Sequence, residues 1–207
     1  NDSHKLEKAC VTVSCNPNKK VEIGNCRSVH CGHLLLLPLY NKLGLAKFSA
    51  QVKARHRFKY DFADILCKLV MCRILFPDSK RATRECLNDF IDAPDFSLDD
   101  IYNFLGTLSK EITPLQRSIY EATKNELSRR TGVIYYDCTN YYFEIEKEDN
   151  LRRYGKSKEH RPNPIVQMGM FMDADGLPLA FCINPGNTNE QQTMQPLEEI
   201  LANEFNL

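Results

Sequence analysis

One carboxylate lies in a run of β-branched and aromatic residues two thirds of the way along the chain. Asp137 is the only acidic residue in segment 133–139, Val-Ile-Tyr-Tyr-Asp-Cys-Thr, whose composition is typical of a strand. We expect Asp137 at or near the end of a central strand, where a buried charge must be paired or bind a cation. Asp137 is therefore the leading candidate for a catalytic or metal-binding residue. The alternative is a carboxylate held by main-chain N–H groups or by Asn140.

A charged segment follows this strand. Residues 152–161 hold five Lys/Arg and one Glu, directly after an acidic stretch at residues 144–149. Cations that neutralise phosphates, next to a carboxylate that holds a metal, would form a phosphodiester clamp. A solvated surface loop is the alternative interpretation.

Charge is distributed unevenly along a chain that is neutral as a whole. Residues 1–59 carry eleven Lys/Arg against three Asp/Glu, and residues 131–207 carry six against twelve. A basic front suits a phosphate-bearing partner and an acidic rear suits cations, and a solvated Lys-rich surface is the alternative interpretation. The hydrophobic fraction of 43% is that of a globular protein with a core.

Nine cysteines raise the question of a disulfide framework. Their number is odd, and several stand where apolar helix or strand residues are expected, which favours reduced, buried thiols in a cytoplasmic protein. Within residues 10–33, four cysteines and His33 could form a zinc site, although zinc knuckles prefer shorter spacings. The chain shows no signal peptide and no membrane span. We therefore expect no membrane partner.

The spacing of apolar residues divides the chain into three parts. Residues 1–32 are a basic segment that is irregular or forms a short hairpin, and residues 33–131 have the period of helices. Within the helical part, Asp61, Ser79 and Ser97 are predicted N-caps, the last in a capping box with Asp100. Residues 113–116, Thr-Pro-Leu-Gln, predict another capping box, for a helix that runs to about Arg130.

The period changes to that of strands at residue 133. After the strand with Asp137, residues 164–172 and 177–183 predict a β-hairpin around the turn Asp-Ala-Asp-Gly, and a helix follows from about Pro196. The expected fold class is α+β, with an all-helical region followed by an α/β part at residues 132–207.

Several motifs together resemble a known protein family. They are Tyr-Tyr-Asp-Cys-Thr-Asn-Tyr-Tyr-Phe-Glu (135–144), Gly-Lys-Ser-Lys-Glu-His-Arg-Pro-Asn-Pro (155–164), Met-Asp-Ala-Asp-Gly-Leu-Pro-Leu-Ala (172–180) and Pro-Gly-Asn-Thr-Asn-Glu (185–190). Upstream, Phe-Lys-Tyr-Asp (58–61) and Arg-Ile-Leu-Phe-Pro-Asp-Ser-Lys (73–80) fit the same pattern. In their order and spacing they resemble the DDE transposases of bacterial insertion sequences, over about residues 32–207.

The resemblance implies a fold, a metal and a partner. Residues 132–207 would be the first part of an RNase H-like catalytic domain, with Asp137 as the first of three metal-binding carboxylates. In the full-length protein only, two Mg²⁺ ions would support phosphoryl transfer on double-stranded DNA, at element ends and target. DNA would be held by the basic residues Arg152, Arg153, Lys156, Lys158 and Arg161. Such proteins act in the prokaryotic cytoplasm at the nucleoid, and they often form homodimers.

The sequence also departs from the family pattern. It has no Asp after Asp175, and its later acidic residues are Glu190, Glu198, Glu199 and Glu204. The second Asp and the Glu of the family are therefore missing, and we expect this chain to be an incomplete fragment that is inactive by itself. Three alternative interpretations of the chain are a DNA-binding or regulatory remnant, an unrelated RNase H-like nuclease and a helical interaction protein.

Overall fold

A computed structural model of the chain describes residues 28–158, 160 and 162–207. Contacts divide the chain into two compact units, Asn1–Lys110 and Glu111–Leu207. Helices and an antiparallel sheet occur together, so the predicted α+β class is confirmed at that level. The hairpin considered for residues 1–32 falls mainly on residues 1–27, outside the described residues, as does Arg161. No helix in the described residues is long and apolar enough to cross a bilayer.

The described part of the first unit contains helices and short 3-10 turns. The 3-10 turns are Gly32–Leu35 and Leu87–Asp89, and the helices are α1 (Leu37–Lys42), α2 (Leu45–Arg55), α3 (Phe62–Leu75), α4 (Lys80–Cys86) and α5 (Leu98–Leu108).

Three of the predicted helix starts in this unit are confirmed. The Asp61 carboxylate accepts hydrogen bonds from the first-turn N–H groups of α3, and the Ser79 hydroxyl accepts one in α4. Ser97 and Asp100 form the predicted capping box of α5. Each side chain satisfies N–H groups that the first turn of a helix leaves unpaired, so these boundaries follow from local chemistry.

The first unit has an aromatic core and one buried ammonium group. Phe62 is fully buried between Phe48 and Phe104, with ring centroids 6.4 and 4.7 Å away. Lys68, only 2% exposed, forms an ion pair with Asp92. The same carboxylate lies 2.8 Å from His33 Nε2, and burial lowers the pKa of His33. Asp92 therefore compensates the charge of a buried lysine.

The second unit consists of two helices and a three-stranded antiparallel sheet. Its elements are α6 (Ile112–Glu126), β1 (Ile134–Tyr142), β2 (Ile165–Asp173), β3 (Pro178–Pro185) and α7 (Glu190–Phe205), and the strand order is β1-β2-β3. The predicted hairpin is therefore confirmed, as β2 and β3. The core between sheet and helices contains Tyr120, Phe171, Leu179, Ala180, Leu197, Leu201 and Phe205.

Two predicted helix starts in this unit are wrong. Helix α6 is preceded by Glu111 rather than capped by Thr113, and Gln116 instead accepts a 2.5 Å hydrogen bond from the main-chain N–H of Phe181. Helix α7 begins six residues before Pro196, because Asn189 caps it by accepting from Gln191 N at 3.1 Å. In both places a polar side chain accepts a hydrogen bond from a main-chain N–H group, and the local sequence pattern did not identify this pairing.

The end of α6 is connected to the sheet through one buried ion pair. Arg129 Nε donates to Asp173 Oδ2 at 2.5 Å, and the two side chains are 3% and 0% exposed. Helix α6 belongs with the sheet to the unit Glu111–Leu207, whereas the sequence pattern divided the chain at residue 131.

Candidate functional site

Asp137 occupies the middle of β1, and its side chain faces solvent. It is the fourth of nine residues in the strand and pairs with Met170 of β2. Its side chain is 72% exposed. The expectation of a buried carboxylate at the end of a central strand is wrong here: Asp137 is exposed in the middle of β1, and β1 is an edge strand of the described sheet.

The alternation of side chains along β1 explains this exposure. Tyr136 and Cys138 point to the side of the sheet that α7 covers, where the Tyr136 hydroxyl contacts Thr193 and Cys138 is 5% exposed. Neighbouring strand residues point to opposite faces. Asp137 therefore lies on the face away from α7, together with Tyr135 and Tyr141, which are 55% and 51% exposed.

Lys158 comes from the loop between β1 and β2 and lies next to Asp137. Its ammonium nitrogen is 3.6 Å from Asp137 Oδ1 and donates a hydrogen bond to the carbonyl oxygen of Cys138. Its main-chain N–H donates to Asn140 Oδ1 at 3.2 Å. One loop residue thus contacts three residues of the same strand.

Two of the three predicted DNA-binding arginines, Arg152 and Arg153, are engaged by the acidic stretch that precedes them. Arg152 Nε donates to Asp149 Oδ2 at 2.6 Å, and Arg153 Nη1 lies 3.5 Å from Glu148 Oε2. Hydrogen bonds from the main chain and side chain of Arg152 lower the pKa of Asp149 to about 2. A phosphate would therefore have to compete with these carboxylates for both guanidinium groups.

Lys156 is exposed and lines a cavity of about 440 Å³ in the second unit. No described residue forms an ion pair with it. The cavity wall also contains Gln167, Glu190 and segment 186–189 at the start of α7. Of the predicted cationic residues in the described part of the loop, Lys156 is the one whose charge is available to a ligand.

A close approach of two main-chain segments shapes this cavity. Gln167, 4% exposed, donates from Nε2 to the carbonyl oxygen of Gly186 at 3.1 Å. A Cβ atom on Gly155 would collide with that same carbonyl oxygen, and one on Gly186 would collide with the carbonyl oxygens of Arg153 and Ile165. Only glycine fits at these positions without moving the backbone.

The described residues contain no group of three His, Cys, Asp or Glu side chains arranged to hold a metal ion. Asp137 by itself fits a hard divalent cation as one ligand. Its exposed carboxylate supplies oxygen donors, and the carbonyl oxygen of Cys138 lies on the adjacent residue. The ammonium of Lys158 occupies the position of a cation between them.

The structure brings together some of the predicted site residues and separates others. Asp137 and Lys158 lie side by side, whereas Arg152 and Arg153 pair with the acidic stretch. Lys156 lines the cavity instead. The sequence reasoning missed Gln167, because a glutamine in a strand has no distinctive motif, and the pair Gly155–Gly186, whose glycines lie in two separate motifs.

The chain was compared with protein-family models, with curated proteins and with solved structures, and none of the three comparisons found a match.

Proposed function

We propose that this chain is part of a DDE-type transposase with an RNase H-like catalytic domain, and that Asp137 is the first of its metal-binding carboxylates. The proposal is supported by the motifs between residues 58 and 190, whose order and spacing resemble that family. It is also supported by the order of strand, hairpin and helix after residue 133.

A single observation carries the proposal. The carboxylate of Asp137 is exposed in the middle of a strand, within the string Tyr-Tyr-Asp-Cys-Thr-Asn-Tyr-Tyr-Phe-Glu, and the basic loop returns to lie beside it. The Asp137 carboxylate does not stabilise the core, since it neither caps a helix nor neutralises a buried charged group.

The proposal assigns the chain one metal ligand and one phosphate contact. When bound, Mg²⁺ would polarise the scissile phosphate and promote attack by water or a 3′-hydroxyl group. Asp137 would supply one oxygen ligand to such an ion. Lys156 would neutralise a DNA phosphate from the rim of the cavity, and segment 186–190 would limit how far the strand enters it.

One carboxylate cannot organise two metal ions. The sequence holds no Asp after Asp175, and all its later acidic residues are glutamates on α7. The 207-residue polypeptide is therefore proposed to bind DNA without cutting or joining it.

Asp137→Asn is expected to remove a divalent-cation site from β1. In the presence of Fe²⁺, ascorbate and peroxide, a bound iron ion generates radicals that cut the nearby main chain. Wild-type protein should be cut around residues 134–142, and Asp137→Asn should lose most of this cutting because its amide oxygen is a weak ligand. Mass spectrometry of the fragments measures the effect.

Glu199→Gln is the matched control for this experiment. Glu199 is an exposed carboxylate of α7 in the same unit, so its neutralisation changes the net charge equally. Equal cutting of β1 in wild type and Asp137→Asn would contradict a metal at Asp137.

Lys156→Ala is expected to weaken binding to duplex DNA and to reduce its dependence on salt. Each phosphate contact contributes about one unit to the slope of log K against log salt concentration, so the slope should fall by about one. Fluorescence anisotropy of a labelled duplex at several salt concentrations measures both quantities, and gel analysis of the same samples with Mg²⁺ should show no cleavage.

Arg152→Ala is the comparison variant, since Asp149 already engages its guanidinium group. We expect a smaller change in slope for Arg152→Ala than for Lys156→Ala. The opposite order would mean that DNA displaces Asp149 and that Lys156 is not a phosphate contact. Absence of any DNA binding would favour the helical interaction protein instead.

A further inference from the structure

The loop that carries Lys158 is attached to β1 at the candidate metal ligand. Its contacts reach residues 137, 138 and 140, which are nearly consecutive along the strand. Because β1 is an edge strand of the described sheet, carbonyl groups on its outer side lack a strand partner. Lys158 satisfies one of these, the carbonyl of Cys138, while its charge faces Asp137.

The two oxygen donors around this ammonium group are the kind that hard cations bind. A carboxylate and a main-chain carbonyl both suit a divalent ion. An ammonium group is compact, positively charged and rich in donors, so it competes for the same oxygens. The side chains of Lys158 and Asp137 are 52% and 72% exposed, so the competitor is held weakly enough to be displaced.

We infer that Lys158 is an internal substitute for the metal ion: it pairs with Asp137 when no divalent cation is bound, and a cation that binds Asp137 must displace it. This inference rests on the proposed metal role of Asp137 and adds a regulatory residue to it. It also changes the expectation for Lys158, from a DNA-binding residue to the residue that controls access to Asp137.

Displacement has a consequence for the loop. When the ammonium leaves both Asp137 and the carbonyl oxygen of Cys138, the hydrogen bond from the main-chain N–H of Lys158 to Asn140 is the described contact that still ties residue 158 to the strand. Binding of a cation to the Asp137 carboxylate therefore makes the Lys158 side chain more mobile. By linkage, whatever favours the displaced lysine also favours the bound cation.

The test compares Mn²⁺ affinities of four proteins, wild type, Lys158→Met, Lys156→Met and Asp137→Asn, by titration followed by electron paramagnetic resonance. Exposed ion pairs contribute up to about 1 kcal/mol, so Lys158→Met should bind Mn²⁺ about two- to fivefold more tightly than wild type. Lys156→Met removes the same charge from the same loop and should change the affinity clearly less. Asp137→Asn should abolish the site.

A second readout follows the lysine itself. With a limiting amount of an acetylating reagent, Lys158 in wild type should react more slowly than Lys156, and saturation with Mn²⁺ should raise its reactivity. In Asp137→Asn, Lys158 should be reactive from the start. Peptide mass spectrometry quantifies both sites in one sample, and circular dichroism confirms that each variant is folded.

The possible failures are distinguishable. If Asp137→Asn abolishes Mn²⁺ binding but Lys158→Met behaves like Lys156→Met, the exchange is wrong and the metal role of Asp137 stands. If Asp137→Asn leaves Mn²⁺ binding unchanged, the proposed metal role is wrong and the exchange fails with it. Unchanged acetylation of Lys158 on Mn²⁺ saturation would equally overturn the exchange.

Discussion

Arg129→Met is expected to lower the free energy of unfolding of the second unit by about 3–5 kcal/mol, the cost of removing one partner of a buried ion pair. Arg129 donates hydrogen bonds to Asp173, to Thr123 Oγ1 at 2.8 Å and to the carbonyl oxygens of Leu177 and Pro178 at 3.1 and 3.0 Å. Its loss leaves the fully buried Asp173 without its cation.

Arg130→Met is the control for this prediction. Arg130 is the next residue, carries the same charge and pairs with Asp175, but the two side chains are 67% and 38% exposed. An exposed pair contributes at most about 1 kcal/mol. Hydrogen exchange of peptides from the second unit compares the two variants, and equal losses would contradict the importance of burial.

The Asp173 carboxylate adds a pH dependence to this ion pair. Burial alone would raise the pKa of Asp173, but hydrogen bonds from the N–H groups of Leu177 and Asp175 and from Arg129 hold it below its usual value. A depressed pKa contributes stability that is present above the unfolded value near 3.9 and is lost as the pH falls through the folded value.

Asp173→Asn in the Arg129→Met background should recover part of the lost stability, because no unpaired charge is then buried.

Gly186→Ala is expected to cost about 1–3 kcal/mol, the cost of forcing extra atoms into a packed site. Its Cβ would collide with the carbonyl oxygens of Ile165 and Arg153 and approach Ile165 Cγ1 to 2.7 Å. The two carbonyl oxygens are main-chain atoms, so relief requires moving the strand end or the loop. We expect the hydrogen bonds between Arg153 and Ile165, at 2.8 and 3.0 Å, to break first.

Gly132→Ala serves as the control, since nothing lies within 4 Å of the Cβ it would add. It should be neutral or slightly stabilising, as it reduces the freedom of the unfolded chain. Amide exchange at Arg153 and Ile165, read by nuclear magnetic resonance, should increase in Gly186→Ala alone. If both variants behave alike, the close approach at Gly186 does not affect stability.

Local patterns predicted those features whose cause is local. The caps Asp61, Ser79 and Ser97 follow from side chains that satisfy the first N–H groups of their own helices. The hairpin of β2 and β3 follows from alternating residues around a Gly-containing turn. The one carboxylate of β1 was visible in the sequence because few charged residues occur in such runs.

The surroundings of Asp137 depend on contacts that are distant in sequence. Lys158 lies 21 residues after Asp137, yet its ammonium group is 3.6 Å from the carboxylate. Nothing in the basic segment distinguishes this lysine from Lys156 two residues earlier. The pairing of β1 with β2 fixes which of them meets the strand, because it determines the path of the loop between them.

The sequence by itself therefore determined the α+β class, most helix caps, the hairpin and the identity of the candidate carboxylate, since each depends on neighbours within a few residues. The tertiary structure decided that Asp137 is exposed, that Lys158 pairs with it and that Arg129 is buried against Asp173. These outcomes depend on which face of a strand is covered and which charges are withdrawn from water, and both are set by packing between segments far apart in the chain.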